Sequence, residues 1–283
     1  MTLEEAYSFG KEKLQNADIQ DAAIDAWILL ESVTNISRAM YFVNPKQTIT
    51  EKEKEKYSAD IEKRSERIPL QHITGEQEFM GLTFEVNENV LIPRQDTETL
   101  VETVFEDLEE HMKILDMCTG SGCILISLLK MMQNASCEDT VWGVGADISK
   151  EALEVAERNN QRLETNAVFI QSDMFENVEG SYNIIVSNPP YIRTKEIDKL
   201  EKEVKLHDPM IALDGKEDGL YFYRIIVDKS RKYLKKNGRL YFEIGYDQAE
   251  DVKKLMEDAG FKNVTVKKDL AGLDRVVFGV YNI

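Results

Sequence analysis

Ile114-Leu115-Asp116-Met117-Cys118-Thr119-Gly120-Ser121-Gly122-Cys123-Ile124 is the stretch of this 283-residue chain that decides its fold. A short apolar run enters a turn with two glycines, then closely spaced apolar positions follow at Ile124, Ile126, Leu128 and Leu129. That is the first βα turn of a doubly wound sheet, where glycines let backbone N–H groups approach a ligand and the helix start favours a carboxylate. The turn lacks the third glycine of the dinucleotide fingerprint, so it predicts a nucleotide site without a pyrophosphate.

Three more strand tips are legible downstream. Val141-Trp142-Gly143-Val144-Gly145-Ala146-Asp147 predicts a strand ending in an acid. Asp147 there suits two roles that can coexist: acceptor for both hydroxyls of a ribose, or N-cap of a helix over Ser149 to Asn160. A strand over Ala167 to Gln171 leads to Ser172-Asp173-Met174, placed to lie along an adenine edge, and an apolar run from Ile184 reaches Asn188-Pro189-Pro190-Tyr191. Four strand tips then line one crevice at the carboxyl edge of the sheet, where open α/β sheets bind ligands.

The Asn-Pro-Pro-Tyr segment carries the chemistry. Neither proline can donate to a ladder, so the strand ends in a rigid turn. The Asn188 Oδ1 and the Pro189 carbonyl are then free to face the cleft as a pair of acceptors, which suits a planar NH2 group, with Tyr191 available to lie against it. An amide nitrogen is a poor nucleophile because its lone pair is delocalised. Two acceptors on its hydrogens orient it and stabilise the positive charge that develops as it attacks an electrophile.

The series Asp116-x-x-Thr119-Gly120-Ser121-Gly122, Asp147-Ile148-Ser149, Ser172-Asp173 and Asn188-Pro-Pro-Tyr191 resembles a class I S-adenosylmethionine-dependent methyltransferase. The whole chain is similar to the HemK/PrmC family, which methylates the glutamine side-chain amide in the GGQ motif of class I peptide chain release factors. That narrower resemblance rests on Pro69-Leu70-Gln71-x-Ile73-x-Gly75, Glu78-Phe79-Met80-Gly81-Leu82, Leu91-Ile92-Pro93-Arg94, Ala212-Leu213-Asp214-Gly215, Asp218-Gly219-Leu220-x-Phe222-Tyr223, Glu243-Ile244-Gly245 and Asp269-Leu270-Ala271-Gly272-x-Asp274-Arg275. It implies cofactor binding by Asp116, Cys118, Thr119, Gly120, Ser121, Gly122, Asp147, Asp173, Met174 and Asn188, and a substrate clamp made by Asn188, Pro189, Pro190 and Tyr191. It also implies a Rossmann-like sheet with a small N-terminal helical domain that contacts the protein substrate. The chain departs from the family pattern at Cys118, usually glycine, and at Met174, where an aromatic or leucine is common. Further departures are Gln95-Asp96-Thr97-Glu98 in place of Pro-Glu-Thr-Glu, and Asp208-Pro209 in place of Glu-Pro.

Composition narrows the partners. With 35 Lys+Arg against 52 Asp+Glu the net charge is −17, which opposes tight binding to a phosphate backbone and favours a partner with a basic face. A methyltransferase acting on adenine or guanine amines would use the same clamp, but no basic, aromatic-interleaved stretch supplies a nucleic-acid channel. A cofactor-binding scaffold would have no use for two amine acceptors. No apolar run has the length of a membrane span and Met1 to Gly10 is acidic, so a cytoplasmic protein is expected. Cys118, Cys123 and Cys137 lack zinc-site spacing and fit a reducing compartment as packing residues. With His72, His111 and His207 scattered as well, neither a metal nor a histidine base is expected.

The remaining segments fill in the organisation. Helical spacing at Leu3, Ala6, Tyr7 and Leu14, at Ile24, Trp27, Ile28 and Leu30, and at Tyr57 and Ile61 predicts a helical N-terminal bundle. Glu51 to Lys56 alternates in charge and reads as a solvated helix start. Alternation at Leu82, Phe84 and Val86 predicts a hairpin. The expected domains are 1–75 (helical, substrate-docking), 76–93 (hairpin linker) and 94–283 (catalytic). Near the end, strands over Asn263 to Lys268 and Arg275 to Tyr281 form an antiparallel edge hairpin beside Leu240 to Ile244, with Glu243 read as a hydrogen-bonded structural acid.

Overall fold

A computed structural model describes residues 1–136 and 140–282; Cys137 lies outside the described residues. The chain divides into two compact units, Met1–Glu76 with Glu201–His207, and Gln77–Leu200 with Asp208–Ile283. The attachment of 201–207 to the first unit has no signature in the sequence.

The first unit contains α1 (Leu3–Asn16), α2 (Ala22–Thr34), α3 (Arg38–Val43), α4 (Glu51–Ser65) and α5 (Leu70–Thr74). Both long helices with Thr caps close a reciprocal box. Thr2 Oγ1 accepts from Glu5 N at 3.3 Å while Glu5 accepts from Thr2 N at 2.8 Å, and Thr50 and Glu53 repeat it at α4. The alternating charges from Glu51 are thus the exposed first turns of α4, with Lys54 on Glu51 at 2.7 Å. Leu3, Ala6, Leu14, Leu29, Leu30, Tyr57 and Ile61 are fully buried together, whereas Ile24 faces outward, 56 % exposed. Arg64 is buried and bonds Asp25 at 2.6 Å and Glu203 at 2.9 Å, so its charge is met on both sides.

The second unit opens with a hairpin, β1 (Glu76–Phe79) and β2 (Leu82–Glu85). Its two turn residues, Met80 and Gly81, both have positive φ, as a tight twisted hairpin requires. After α6 (Gln95–Phe105), strands and helices alternate: β3 (Lys113–Met117), α7 (Cys123–Ser136), β4 (Trp142–Asp147), α8 (Lys150–Arg162), β5 (Val168–Gln171) and β6 (Tyr182–Ser187). A 3₁₀ turn (Thr194–Lys199) follows; then, after α9 (Lys202–His207), which belongs to the first unit, come α10 (Met210–Leu213) and α11 (Tyr221–Ser230). The chain closes with β7 (Leu234–Glu243), α12 (Ala249–Asp258), β8 (Lys262–Lys268) and β9 (Asp274–Tyr281).

The sheet order is β5-β4-β3-β6-β7-β9-β8, parallel as far as β7, with β9 antiparallel to both of its neighbours. Successive residues of the central strands feed opposite cores. Ile114, Ile184, Val186, Tyr241 and Val276 pack with α6 and α7 on one face. Leu115, Ile185, Leu240, Phe242 and Val277 pack with α11 and α12 on the other. This two-sided burial turns the strands into continuous apolar runs. The winding reverses between β3 and β6, which are adjacent although β4 and β5 intervene in sequence. A crevice therefore opens at the carboxyl ends of those two strands.

Candidate active site

A cavity of about 360 Å³ sits at that switch point, lined among others by Cys118 to Ser121, Asp147, Asp173, Met174 and Asn188. This volume is within the range of small-molecule sites. Four strand tips that are far apart in sequence thus contribute to one wall.

The turn after β3 is held from beneath. Asp116 is fully buried and does not line the cavity; its Oδ2 accepts from Thr119 Oγ1 at 2.6 Å, and Thr119 N donates to Ala146 O at 3.1 Å. Burial pushes the Asp116 carboxyl up to about 7; the Thr119 bond opposes the shift and the nearby Asp147 charge adds to it. Cys118 holds φ +61°, a left-handed conformation that costs an L-residue roughly 1–2 kcal/mol. This accounts physically for the glycine usual at that position. Its thiol is driven well above the ordinary range by burial and by the Asp147 charge, which makes it an inert wall rather than a nucleophile.

Gly120 and Gly122, expected to act alike, do different work. A Cβ on Gly120 would meet nothing within 4 Å, and this residue lines the cavity. At Gly122 a Cβ would meet Ile126 Cδ1 at 2.9 Å, Phe169 Cζ at 3.1 Å and the Ala156 Cβ at 3.3 Å. Gly122 is therefore a helix-packing residue, and it is not among those lining the cavity. Asn159, absent from the sequence-based site, braces the same turn: its Nδ2 reaches both Ser121 O and Glu85 O at 3.0 Å, and its Oδ1 accepts from Glu85 N at 2.7 Å.

Asp147 is not the N-cap of the following helix. Ser149 is, accepting from Ala152 N at 3.1 Å, because Asp147 lies two residues too early. Instead Asp147 Oδ1 accepts from Ser149 N and Oδ2 from Gly120 N, each at 2.9 Å. The carboxylate thus ties the tip of β4 to the glycine turn of β3. Burial raises its pKa, and its bonds from the Ser149 and Gly120 amides pull it back.

At the end of β6, Ser187 Oγ donates to Met117 O at 2.7 Å, locking the two strand tips together. Asn188 and Pro190 line the cavity, while Pro189 and Tyr191 are not among its lining residues. Asn188 Nδ2 donates to Thr97 Oγ1 at 3.4 Å, which turns its Oδ1 the other way. The Tyr191 hydroxyl donates to Glu243 Oε1 at 3.4 Å. The backbone beyond is pinned, with Gln248 Nε2 donating to Tyr191 O at 3.0 Å and to Gly219 O at 3.2 Å. Gly215 and Gly219 allow this, since a Cβ on either would collide with the Tyr191 backbone. On the rim Arg94 bonds the buried Asp208 at 2.5 Å.

Residues 5–75 match the PrmC N-terminal domain family and residues 94–212 the methyltransferase small domain family. The chain is 40 % identical to the release factor glutamine methyltransferase of Agrobacterium fabrum over 94 % of its own length and 93 % of that protein. The chain belongs to the release factor glutamine methyltransferase family. The Clostridium acetobutylicum member is likewise 40 % identical, over 97 % of this chain and 95 % of the relative. Among solved structures, a methyltransferase from Pyrococcus furiosus shares the fold with a TM-score of 0.51 at 16 % identity, over 72 % of this chain and 90 % of that one.

Family membership makes this an S-adenosylmethionine-dependent methyltransferase. Thr97, Asn159, Glu243 and Gln248 were not identified as site residues from the sequence. The signal available for Glu243 was an acid in an otherwise apolar strand, and for the others there was none short of the fold. Among the described residues no group of His, Cys, Asp and Glu is arranged to hold a metal ion, and no helix is long and apolar enough to cross a membrane.

Proposed function

We propose that this chain transfers the methyl group of S-adenosyl-L-methionine to the side-chain amide nitrogen of the glutamine in the GGQ motif of class I peptide chain release factors, in the cytoplasm. The observation that carries this reading is the Asn188 amide, its nitrogen engaged by Thr97 and its oxygen available, in the same cavity as the Asp147 carboxylate.

The donor set fits the cofactor. A carboxylate has about four lone-pair sites; Asp147 uses two on backbone N–H groups, which leaves two for vicinal ribose hydroxyls. Cys118 to Ser121 present backbone to the methionyl part, and Asp173 and Met174 border the base. The cofactor supplies an already activated methyl, so the protein contributes position and electrostatics. Asn188 Oδ1 and the Pro189 carbonyl accept the two hydrogens of the substrate amide and hold its nitrogen in line. Their partial negative charge stabilises the cationic nitrogen as the methyl arrives. That nitrogen is then acidic and releases its proton without a dedicated base. The Tyr191 side chain, bound to Glu243, acts in this scheme as a brace for the clamp.

The N-terminal unit is the docking element in this proposal. The −17 net charge attracts a partner whose functional loop works against ribosomal RNA and is accordingly basic. The test is mass spectrometry of release factor after incubation with deuteromethyl-labelled cofactor. One labelled methyl on the GGQ glutamine is expected, falling on the order of 100-fold or more in rate with Asn188→Ala. Absence of the label, or its appearance on another residue, overturns the reading.

A further inference from the structure

The turn that ends β6 cannot hold itself in place. Pro189 and Pro190 carry no N–H, so over two successive residues the chain donates nothing to a neighbouring segment. The position of the Asn188 amide and the Pro189 carbonyl is therefore set by groups from elsewhere in the fold. Resting on the reading of those two groups as the substrate acceptors, we propose that Gln248 is a positioning residue that fixes the clamp and ties it to the mouth of the cavity.

Gln248 is 1 % exposed and stands at the start of α12, a few residues beyond β7. As the N-cap it makes no side-chain bond to its own helix. Its amide is used elsewhere, at both ends. Nε2 donates to Tyr191 O at 3.0 Å and to Gly219 O at 3.2 Å, and Oε1 accepts from Gly245 N at 3.0 Å. One buried side chain thus joins the exit of β6, the loop before α11 and the exit of β7. Two of these segments lead directly to the cavity: Tyr191 follows Pro190, Gly219 precedes Tyr221 and Phe222, and Pro190, Tyr221 and Phe222 all line it.

The backbone shows why a side-chain donor is needed. Ile192 N donates to Leu213 O at 3.0 Å, Gly215 N to Ile192 O at 2.8 Å and Thr194 N to Lys216 O at 3.0 Å. This short parallel pairing begins at Ile192, one residue past the Tyr191 carbonyl, and Gln248 supplies the donor there. The joint has no room for other side chains. A Cβ on Gly215 would meet Tyr191 C at 2.7 Å and Pro190 O at 2.9 Å, and one on Gly219 would meet Gln248 Nε2 at 2.6 Å. A neutral amide suits the place, since it offers two donors and an acceptor with no charge to desolvate; lysine and arginine have no acceptor, and a carboxylate has no donor. Losing these bonds frees the acceptor turn to move against the mouth loop, and misplacing a reacting group by about 1 Å costs on the order of 100-fold in rate.

The experiment compares Gln248→Met and Gln248→Glu with wild type, with Val252→Ala as a control fully buried on the same helix, and with Asn188→Ala. The quantities measured are kcat on release factor, calorimetric affinity for S-adenosylmethionine, Tm, and the NMR signal of the Tyr191 carbonyl carbon. Tyr191-Ile192 is the one Tyr-Ile pair in the chain, so carbonyl-labelled tyrosine combined with amide-labelled isoleucine isolates that signal. Gln248→Met fills the space without either donor; it should lower kcat about tenfold or more and shift the Tyr191 signal, with cofactor affinity held within about twofold. Gln248→Glu keeps the shape and the acceptor for Gly245, so a fall in its kcat as well assigns the loss to the donors, and it carries the same comparison should Gln248→Met not fold. Val252→Ala removes packing alone and should lower Tm while kcat stays within about twofold and the Tyr191 signal stays in place. Wild-type kcat or an unmoved Tyr191 signal in the folded Gln248 variants overturns the proposal, as does an equal loss of kcat in Val252→Ala. Full turnover in Asn188→Ala would instead overturn the clamp on which it rests, so the two failures are distinct.

Discussion

Replacing Asp147 by Asn tests the cofactor assignment most directly, because both carboxylate oxygens have known partners. Each accepts one backbone amide at 2.9 Å, Oδ1 from Ser149 and Oδ2 from Gly120. An asparagine retains only one accepting end, so its NH2 must face one of those two N–H groups or swing out of the site. It also removes the charge that would receive a ribose hydroxyl pair. A charge-assisted bond contributes about 1.5–3 kcal/mol, which is about 10- to 140-fold in Kd. The loss should fall on affinity rather than on turnover at saturating cofactor, since Asp147 is remote from the transferred methyl in the proposed pose. Calorimetry with S-adenosylmethionine measures the first effect. A parallel titration with a cofactor analogue lacking the ribose hydroxyls isolates the second, for wild type should bind it weakly and Asp147→Asn should lose little more. An unchanged Kd for S-adenosylmethionine in the folded variant would refute the ribose assignment and leave Asp147 as a tie between two turns.

Gly122→Ala should destabilise by about 2–5 kcal/mol, from a left-handed φ of +79° and the contacts near 3 Å to Ile126 and Phe169, seen as a drop of several degrees in Tm. Gly120→Ala should destabilise by only about 1–2 kcal/mol, from its left-handed φ of +55° alone because its Cβ meets no protein atom, but weaken cofactor binding. Asp116 and Glu243 both have folded pKa values pushed up to about 7 by burial; the folded state then holds more protons than the unfolded one, and stability should fall as pH rises from about 4 to 7. Asp116→Asn should flatten that slope in urea melts at pH 5 and pH 8, and an unaltered slope would contradict the assignment. Raising salt should increase KM for release factor, by screening the attraction of an acidic enzyme for a basic loop, while the cofactor Kd stays within about twofold by titration; equal sensitivity of both would speak against electrostatic docking.

Much of the fold could be read from the chain because local signals are short-ranged. The glycine turn at Cys118 to Gly122, the acid ending β4 and the prolines ending β6 each announce a strand tip within a few residues. Two-sided apolar runs such as Ile184 to Val186 announce a parallel sheet. The resemblance to a known family joined those tips into one site. Less legible were residue types with several uses: Gly122 packs a helix, the capping falls to Ser149 rather than Asp147, and the Tyr191 hydroxyl turns toward Glu243.

The sequence by itself therefore determined the elements and the strand-tip turns, since turn chemistry and side-chain periodicity act over a few residues. Only the tertiary structure decided which side chains stand behind them. Thr97 meets Asn188 across 91 positions, Asn159 meets Glu85 across 74 and Tyr191 meets Glu243 across 52. Those pairings follow from β3, β6 and β7 lying side by side in the sheet and from α6 and α8 packing against it. Strand order is set by the summed burial of both sheet faces, and no local stretch of chain encodes that sum.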